Sequence, residues 1–182
     1  MLESEDQKII DLFKADETKH QAFGQLMEKY QKRVYWHVRR LVLCHDDADD
    51  VTQNTFIKAW KNLHNFKGEC ALFSWLYRIA TNESITHLNK IKQLNQVELD
   101  EATFMSQRLS GDTYFTGDAI QLKLQNAILQ LPEKQRVVFN MKYFEDLTYE
   151  QMSEVLETSV GALKASYHHA ATKIEEFIKN NS

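Results

Sequence analysis

Scarcity of proline and glycine constrains this chain more than any other feature of its sequence. The 182 residues include one proline and five glycines. These two residue types most often end helices or form tight turns, so long windows without them favour helices over hairpins. Of all residues, 43% are hydrophobic, which is enough for one core of ordinary size or two small ones. We therefore predict an all-helical chain.

Apolar spacing places three helices in the first half. From Gln21 to Leu43, apolar residues recur three and four positions apart, which predicts one long amphipathic helix. A second helix is predicted from about Asp47 to Asn62 and a third from about Leu72 to Ile91. The residues predicted to face inward from the second helix are Val51, Phe56, Ile57 and Trp60. Residues 93–117 show no sustained period and are interpreted as a linker.

The second half is predicted to contain four helices joined by short connections. Residues 118–131 are predicted to be helical, and Pro132 is predicted at the first position of the next helix, where its missing N–H is not needed. Thr148 and Gln151 fit a capping box, and Ser159 can cap the last helix. The inward residues of that helix are predicted to be Val160, Leu163, Tyr167, Ala171, Ile174 and Phe177. Two helices joined by so short a turn form a helix-turn-helix pattern.

Charge is distributed unevenly along the chain. The net charge is −4, which by itself argues against a protein that coats nucleic acid. Residues 18–92, however, carry twelve basic and seven acidic side chains. A solvated helix face explains such a run as well as a nucleic-acid surface does. We see no secretory signal and no apolar window long enough for a membrane span, and we expect a cytoplasmic protein whose Cys44 and Cys70 are reduced.

Two stretches together resemble one protein family. "DDADDVTQNTFIKAWKNLHNFKGECALFSWLYRIATN" resembles the second conserved region of bacterial sigma factors of the extracytoplasmic-function (ECF) group, within the sigma-70 family. "LPEKQRVVFNMKYFEDLTYEQMSEVLETSVGALKASYHHA" resembles the fourth region of that family. Their order and separation also match, and the resemblance covers roughly residues 18 to 178.

The resemblance implies two small helical domains, a region 2 bundle and a region 4 helix-turn-helix, joined by a flexible linker. The boundaries we expect are 1–17 for an N-terminal extension, 18–92 for region 2, 93–117 for the linker and 118–182 for region 4. It further implies a factor that binds core RNA polymerase, directs it to particular promoters and helps to open the DNA. The implied protein partners are the clamp of the largest polymerase subunit, the flap of the second-largest subunit and an anti-sigma factor. No catalytic residue, cofactor or metal is implied.

By resemblance, the end of region 2 contacts the minus-10 element. Aromatic faces beside polar groups can accept bases that leave the duplex, and each stacked base contributes about 1–3 kcal/mol. Gly68 to Phe73 would form the specificity loop, with Phe73, Trp75 and Asn82 around the unstacked strand. Arg78 and Lys67 could hold phosphates. Core packing is the alternative for Trp75. The full predicted set is Lys67, Gly68, Glu69, Cys70, Ala71, Phe73, Trp75, Arg78 and Asn82.

The acidic start of the second helix suits a protein partner, because it cannot attract DNA phosphates. Asp46 and its neighbours are stabilised there by the helix dipole, which also explains them without a metal ion. Resemblance places this helix on polymerase, where complementary charge guides encounter and exposed apolar residues supply affinity. The predicted contacts are Asp49, Asp50, Gln53, Asn54, Phe56, Ile57 and Trp60.

By resemblance, the last helix reads the minus-35 element. Its small residues permit close approach to the major groove, and its N-terminus can meet a phosphate. The predicted contacts are Ser159, Gly161, Ala162, Lys164, Ala165, Ser166, His168 and His169. The family favours arginine where this chain has Ser166 and His169, so fewer counterions are released on binding. We therefore expect the free protein to bind DNA weakly or undetectably.

Two other classes of function remain open from the sequence. A helix-turn-helix regulator that acts without polymerase explains the last two helices, but not the aromatic stretch "FSWLYRIATN" or the acidic helix. A metal-dependent helical enzyme would use His64, Cys70, His168 or His169. Adjacent histidines point about 100° apart on a helix and rarely share one metal ion.

Overall fold

A computed structural model of the chain describes residues 4–94, 101–110 and 118–181. Its described part contains nine α-helices and no strand, which confirms the all-helical prediction. The helices are α1 Ser4–Phe13, α2 Lys19–Val42, α3 His45–Asn62, α4 Leu72–Leu94, α5 Glu101–Ser110, α6 Ala119–Leu129, α7 Glu133–Tyr143, α8 Tyr149–Leu156 and α9 Val160–Asn180. None of the described helices is both long enough and apolar enough to cross a membrane.

The chain divides into two compact units. The first comprises Met1–Val42 and Asp46–Lys90, and the second comprises Leu43–His45 and Ile91–Ser182. The two-domain organisation expected from the sequence is therefore present.

The core of the first unit is built on the buried face of α2. Every third or fourth residue along much of α2 is buried, as the amphipathic pattern predicted. These residues include Leu26, Tyr30, Val34, Val38 and Leu41. His37, also on this face, is 1% exposed, and its Nε2 lies 2.8 Å from the hydroxyl oxygen of Thr81 on α4. Thr81 in turn donates to the carbonyl oxygen of Tyr77. These hydrogen bonds give the buried His37 Nε2 and Thr81 hydroxyl their partners.

Helix α1 is fixed to α2 by a buried carboxylate. Asp6 is 2% exposed, and both of its oxygens lie 2.8 Å from the hydroxyl of Tyr30, which donates to them. Lys29 Nζ approaches Oδ1 of Asp6 at 2.9 Å. Burial and the bond to Asp6 raise the pKa of the Tyr30 hydroxyl above its usual range. A charge-assisted, fully satisfied group of this kind holds two helices in register.

The core of the second unit lies between α6, α7 and α9. Its buried residues are Ala127, Ile128, Leu131, Phe139, Ala170 and Ile174. The ring of Phe139 stacks on Tyr167 at 5.7 Å and on Tyr143 at 5.1 Å, with both ring pairs inclined by 14°. The stack joins α7 to the middle of α9.

Local capping signals in the second unit are confirmed. Thr148 Oγ1 accepts from the Gln151 N–H at 3.1 Å while Gln151 Oε1 accepts from the Thr148 N–H at 2.9 Å. Ser159 Oγ accepts from the Ala162 N–H at 3.3 Å. Between these helices Glu157 adopts the left-handed conformation with φ of 51°, which reverses the chain within the short turn.

Several local predictions are corrected by the structure. Ile57, predicted to face inward, is 45% exposed, and Ala170 rather than Ala171 is buried in α9. Pro132 is the N-cap of α7, one residue before the predicted position. Helices α1 and α5 were not predicted. Helix α5 lies inside the predicted linker, and its buried residues Phe104, Met105 and Leu109 are too few to establish a period in the sequence.

Removing the Tyr30 hydroxyl tests the α1–α2 attachment. We expect Tyr30→Phe to lower the free energy of unfolding of the first unit by about 1–3 kcal/mol, because a buried carboxylate loses a donor. All three tryptophans lie between residues 36 and 75, so their fluorescence during urea unfolding reports on this unit alone.

Asp11→Asn provides the matched control for Tyr30→Phe. The Asp11 carboxylate is exposed on the same helix, and its substitution should change the free energy of unfolding by less than about 0.5 kcal/mol. Equal effects of the two substitutions would contradict the account of α1.

Candidate nucleic-acid and protein interfaces

An open groove runs between α2 and α3 in the first unit. Its volume is about 880 Å³. Five of the seven predicted polymerase contacts line it: Asp49, Gln53, Phe56, Ile57 and Trp60. The other two, Asp50 and Asn54, are exposed on α3 but do not line the groove. The groove thus brings most of the predicted set together on one surface.

Aromatic rings form the floor of the groove at one end. Trp60 packs edge-on against Phe13 at 5.3 Å and against Phe23 at 5.1 Å. The ammonium of Lys19 lies 5.0 Å from the centre of the Trp60 ring. Phe56 is only 4% exposed and contacts Phe23. Phe56 thus faces inward, as predicted, and its ring supports the floor, while Ile57 and Gln53 are accessible.

The opposite wall of the groove comes from α2 and was missed by the sequence analysis. The α2 residues that contribute are His20, Phe23, Gly24, Met27, Glu28, Gln31, Lys32 and Tyr35. Many of them recur three or four positions apart, so they share one face of the helix. That spacing was visible in the sequence, but nothing in it indicated that this face lies opposite α3.

Two side-chain contacts join α3 to α4. His87 Nε2 lies 3.0 Å from Asp47 Oδ1, and Lys58 Nζ contacts Glu83 Oε1. Burial lowers the pKa of the His87 imidazole; Asp50 opposes this effect and Lys90 adds to it. The neutral imidazole is therefore favoured in the folded unit.

The predicted specificity loop follows a short 3-10 turn at Leu63–Asn65. Lys67, Gly68 and Glu69 are exposed, whereas Cys70 and Ala71 are half-buried. Gly68 has a φ of 74°, in the left-handed region where glycine carries no steric penalty. The ring of Phe66 lies 5.4 Å from that of Trp75, so an aromatic contact connects the loop to α4.

Three predicted contacts share one face of α4. Trp75 and Arg78 are half-buried and Asn82 is exposed, and their spacing of three and four places them on the same side. Phe73 differs. It is 6% exposed, its ring centre lies 4.0 Å from that of Tyr77, and the guanidinium of Arg33 covers it at 4.4 Å. The ring of Phe73 therefore belongs to the core of this unit, and its contact with an unstacked strand stays a prediction.

The predicted reading face of α9 is accessible. Most of its residues are exposed: Ser159, Gly161, Ala162, Lys164, Ala165, His168 and His169. Ser166 is half-buried at the edge of the face. A side chain built on Gly161 would meet no atom within 4 Å, so the start of the helix leaves room for a close partner.

Few charged groups occupy this face. The ammonium of Lys164 lies 5.6 Å over the ring of Tyr149 on α8, and the rings of His168 and His169 are 6.1 Å apart. The Thr172 hydroxyl donates to the backbone carbonyl oxygen of His168. This hydrogen bond does not involve the imidazole ring. The histidine rings are therefore available as hydrogen-bond donors.

Candidate metal ligands do not converge in the part of the chain that the structure describes. No three side chains of His, Cys, Asp or Glu lie close enough there to hold one ion. Cys44 and Cys70 are not joined by a disulfide. The acidic start of α3 is accounted for by the helix dipole and by the contact of Asp47 with His87.

Two family models match the chain. Residues 26–93 match the model of sigma-70 region 2, and residues 121–174 match the model of sigma-70 region 4. Most of the groove, the loop and nearly all of α4 lie within the first match, and α8 with most of α9 lies within the second.

Characterised relatives are similar over most of their length. The RNA polymerase sigma-H factor of Pseudomonas aeruginosa is 29% identical over 188 residues, covering 98% of this chain and 96% of the relative. The ECF RNA polymerase sigma factor SigW of Bacillus subtilis is 29% identical over 168 residues, covering 87% of this chain and 90% of the relative.

Solved structures share the fold. CnrH, solved in complex with the cytosolic domain of CnrY, matches with a TM-score of 0.70 and 20% identity, covering 98% of this chain and all of that one. The sigma factor RpoE of Bartonella quintana, solved with the anti-sigma factor NepR, matches with a TM-score of 0.66 and 21% identity, covering 86% and 96% of the two chains.

Protonation of His87 should destabilise the first unit. Since folding holds the pKa of His87 below the unfolded value of 6.5, the unfolded chain binds more protons in this range. The free energy of unfolding should therefore fall as the pH drops from about 7 to about 5.5. His87→Gln should reduce this fall, as measured by urea unfolding at the two pH values.

His64→Gln, which replaces an exposed imidazole in the same unit, is the control for His87→Gln. It should keep the pH dependence of the wild type. A His87→Gln variant with an unchanged pH dependence would refute the assigned direction of the pKa shift.

Proposed function

The chain belongs to the sigma-70 family, within its ECF group, and on this premise we propose that it is a transcription initiation factor. It binds core RNA polymerase, directs the enzyme to particular promoters and assists in opening the DNA. The proposal depends on one observation: region 2 and region 4 of the family occur in one chain, with region 2 first. One chain could then contact a promoter at two elements. The role needs no catalytic group in the chain.

The two domains have different roles in this proposal. Residues 18–92 act as region 2, 93–117 as a linker and 118–182 as region 4, with residues 1–17 as an extension whose helix α1 braces α2. Region 2 docks on the clamp of the largest polymerase subunit and engages the minus-10 element. Region 4 engages the minus-35 element and the flap of the second-largest subunit.

Docking on polymerase uses the α2–α3 groove. Its accessible apolar residue, Ile57, lies beside the polar Gln53 and the carboxylate of Asp49. An apolar centre rimmed by polar groups is the usual composition of a protein interface. Asp50 and Asn54 remain candidates for contacts at the rim of α3.

Promoter opening uses the α4 face and the preceding loop. Trp75 offers a ring for stacking, Asn82 offers both donors and acceptors, and Arg78 and Lys67 supply positive charge for phosphates. Gly68, Glu69, Cys70 and Ala71 shape the specificity loop. Phe73 contributes indirectly, because its buried ring positions the first turn of α4.

Minus-35 recognition relies on shape and hydrogen bonds more than on charge. The capped N-terminus of α9 can meet a phosphate, while Lys164, His168 and His169 can donate to phosphates or base edges. Ser166 and the small residues Gly161, Ala162 and Ala165 permit close approach.

An anti-sigma factor is the regulatory partner that we propose. The structures of CnrH and RpoE were solved with such partners, the cytosolic domain of CnrY and NepR. A protein that covers the α2–α3 groove would block polymerase binding. Because polymerase and promoter DNA must both be accessible, we place the active protein in the cytoplasm.

Transcription in a purified system tests the proposal. The chain is combined with core polymerase of its own bacterium and a randomised promoter library, and enriched transcripts are sequenced. We expect promoter-dependent transcripts only when the chain is present. Binding of promoter DNA without association with core polymerase would instead identify a helix-turn-helix regulator.

Charging the groove should weaken docking. We expect Ile57→Glu to reduce affinity for core polymerase by tenfold or more, because an ionised group would be transferred into an apolar contact. Fluorescence anisotropy of the labelled chain titrated with core polymerase measures this. Gln25→Glu introduces the same charge on α2 outside the groove and should change the affinity by less than about twofold. Equal losses in both variants would exclude the groove as the docking site.

Removing the Trp75 ring should impair DNA opening. At about 1–3 kcal/mol per stacked base, Trp75→Ala should lower the fraction of open promoter by roughly fivefold or more, while binding to core polymerase is unchanged. Permanganate reactivity of unpaired thymines measures opening. Trp75→Phe should retain most of the activity, and a promoter opened in advance by mismatches should rescue Trp75→Ala. Normal opening by a folded Trp75→Ala protein would show that the ring has only a packing role.

A further inference from the structure

Trp60, the tryptophan that lines the α2–α3 groove, is surrounded by side chains that lie outside the family match. Its ring is half-buried at one end of the groove. The ring contacts Phe13 of α1 and three residues from the first turns of α2: Lys19, His20 and Phe23. All four precede residue 26, where the match to region 2 begins. The match therefore gives these neighbours of Trp60 no role.

Aromatic contacts restrict the orientation of the Trp60 ring. Phe13 and Phe23 meet it nearly at right angles, with ring centres 5.3 Å and 5.1 Å away and planes inclined by 88° and 84°. The ring of His20 lies 4.9 Å away at an inclination of 33°. Edge-to-face geometry is favoured because the positive edge of one ring meets the negative face of the other. A ring with three aromatic neighbours has few orientations open to it.

Lys19 connects the Trp60 ring to the end of α1. Its ammonium lies 5.0 Å from the centre of the Trp60 ring and 5.1 Å from that of the Phe13 ring. A cation within about 6 Å of an aromatic ring is attracted by the negative charge of the ring face. Since Lys19 is half-buried, water screens this attraction less than at an exposed site. One side chain thus links both rings.

Helix α1 is anchored at both ends, so it can support the ring. The buried carboxylate of Asp6 binds α2 near the start of α1. Phe13, the last residue of α1, is buried. In the connection to α2, the Thr18 hydroxyl donates to the Leu12 carbonyl oxygen at 2.6 Å, which satisfies an acceptor that the last helical turn leaves free. Phe13 is therefore held in a fixed position beside Trp60.

We propose that α1 belongs to the docking site for core polymerase, with Phe13 and Lys19 as positioning residues for Trp60. They hold the indole ring in the orientation in which it contacts polymerase. Tryptophan is among the residues that contribute most to protein interfaces, and a ring that is ordered before binding loses less conformational entropy. Affinity falls in proportion to the fraction of molecules whose ring has the binding orientation. The proposal rests on the proposed function, because the partner is polymerase.

A double-mutant cycle tests the link between Phe13 and Trp60. Fluorescence anisotropy of the labelled chain, titrated with core polymerase, measures the affinity. Trp60→Ala should weaken binding roughly tenfold or more, as expected for the loss of a central aromatic contact. Phe13→Ala should weaken it roughly fivefold in the wild-type background, but by less than about twofold in the Trp60→Ala background. Equal losses in both backgrounds would overturn the proposal, because Phe13 would then act without the ring.

Substitution of Lys19 puts the fold less at risk, because this residue is only half-buried. Lys19→Met keeps an apolar side chain but removes the charge, and it should weaken binding roughly threefold. Lys19→Arg, which retains a cation, should keep the wild-type affinity. The effect of Lys19→Met should also disappear in the Trp60→Ala background. An effect that persists there would show that the ammonium contacts polymerase directly, which contradicts a positioning role.

Ile9→Ala is the matched control for Phe13→Ala. Ile9 lies one turn earlier on α1, is also buried, and lines a smaller furrow between α1 and α2 with Gln25 and Lys29. The substitution removes a buried side chain from the same helix without removing an aromatic neighbour of Trp60. It should lower the free energy of unfolding, measured with urea, yet change the affinity by less than about twofold. A loss of affinity equal to that of Phe13→Ala would contradict the proposal, since any loosening of α1 would then suffice.

Failure of the proposed function and failure of this proposal give different results. If the wild-type chain does not bind core polymerase, the proposed function fails. If it binds, but either Trp60→Ala or both Phe13→Ala and Lys19→Met leave the affinity unchanged, only the role of α1 is refuted. If Phe13→Ala does not fold, the two Lys19 variants decide between these outcomes.

Discussion

The packing of one long helix, α2, determines the rest of the first domain. Its buried face carries Tyr30, which binds the Asp6 carboxylate of α1, and His37, which meets Thr81 of α4. With that face enclosed, its two flanks are left for other contacts. One flank forms a wall of the groove opposite α3, and on the other Arg33 covers the Phe73 ring of α4. Since neither flank can rotate without breaking the buried contacts, a single helix holds both in fixed orientation.

The second domain presents the opposite situation, a well-formed helix that is predicted to read DNA with little charge. The capping box at Thr148 and the Ser159 cap fix the helix-turn-helix, and the Phe139 stack anchors α9. The predicted reading face of α9 nevertheless carries only one lysine and two histidines as side chains that can be cationic. A surface of this kind releases few counterions and has little independent affinity. Polymerase, by holding both domains on one promoter, supplies the effective concentration that compensates.

Local chemistry made much of the structure predictable. The long amphipathic pattern of α2 and the caps at Thr148 and Ser159 act within a few residues, so sequence alone located them. Contacts between distant segments were not predictable in this way. The burial of Phe73 depends on Arg33 and Tyr77, and the wall of the groove that α2 provides depends on where α3 lies. Helix α1 was not predicted, because nothing in the sequence distinguishes Asp6, whose carboxylate binds Tyr30, from other acidic residues near a terminus.

We expect promoter affinity to belong to the assembly of chain and polymerase, because the predicted reading face of the chain has too few charges to bind DNA tightly by itself. The most direct measurement compares the affinity of one promoter duplex for the free chain and for polymerase carrying the chain, across a range of salt concentrations. The account predicts weak or undetectable binding by the free chain and tight binding by the assembly. Nanomolar, salt-resistant binding of the free chain to the same duplex would contradict it.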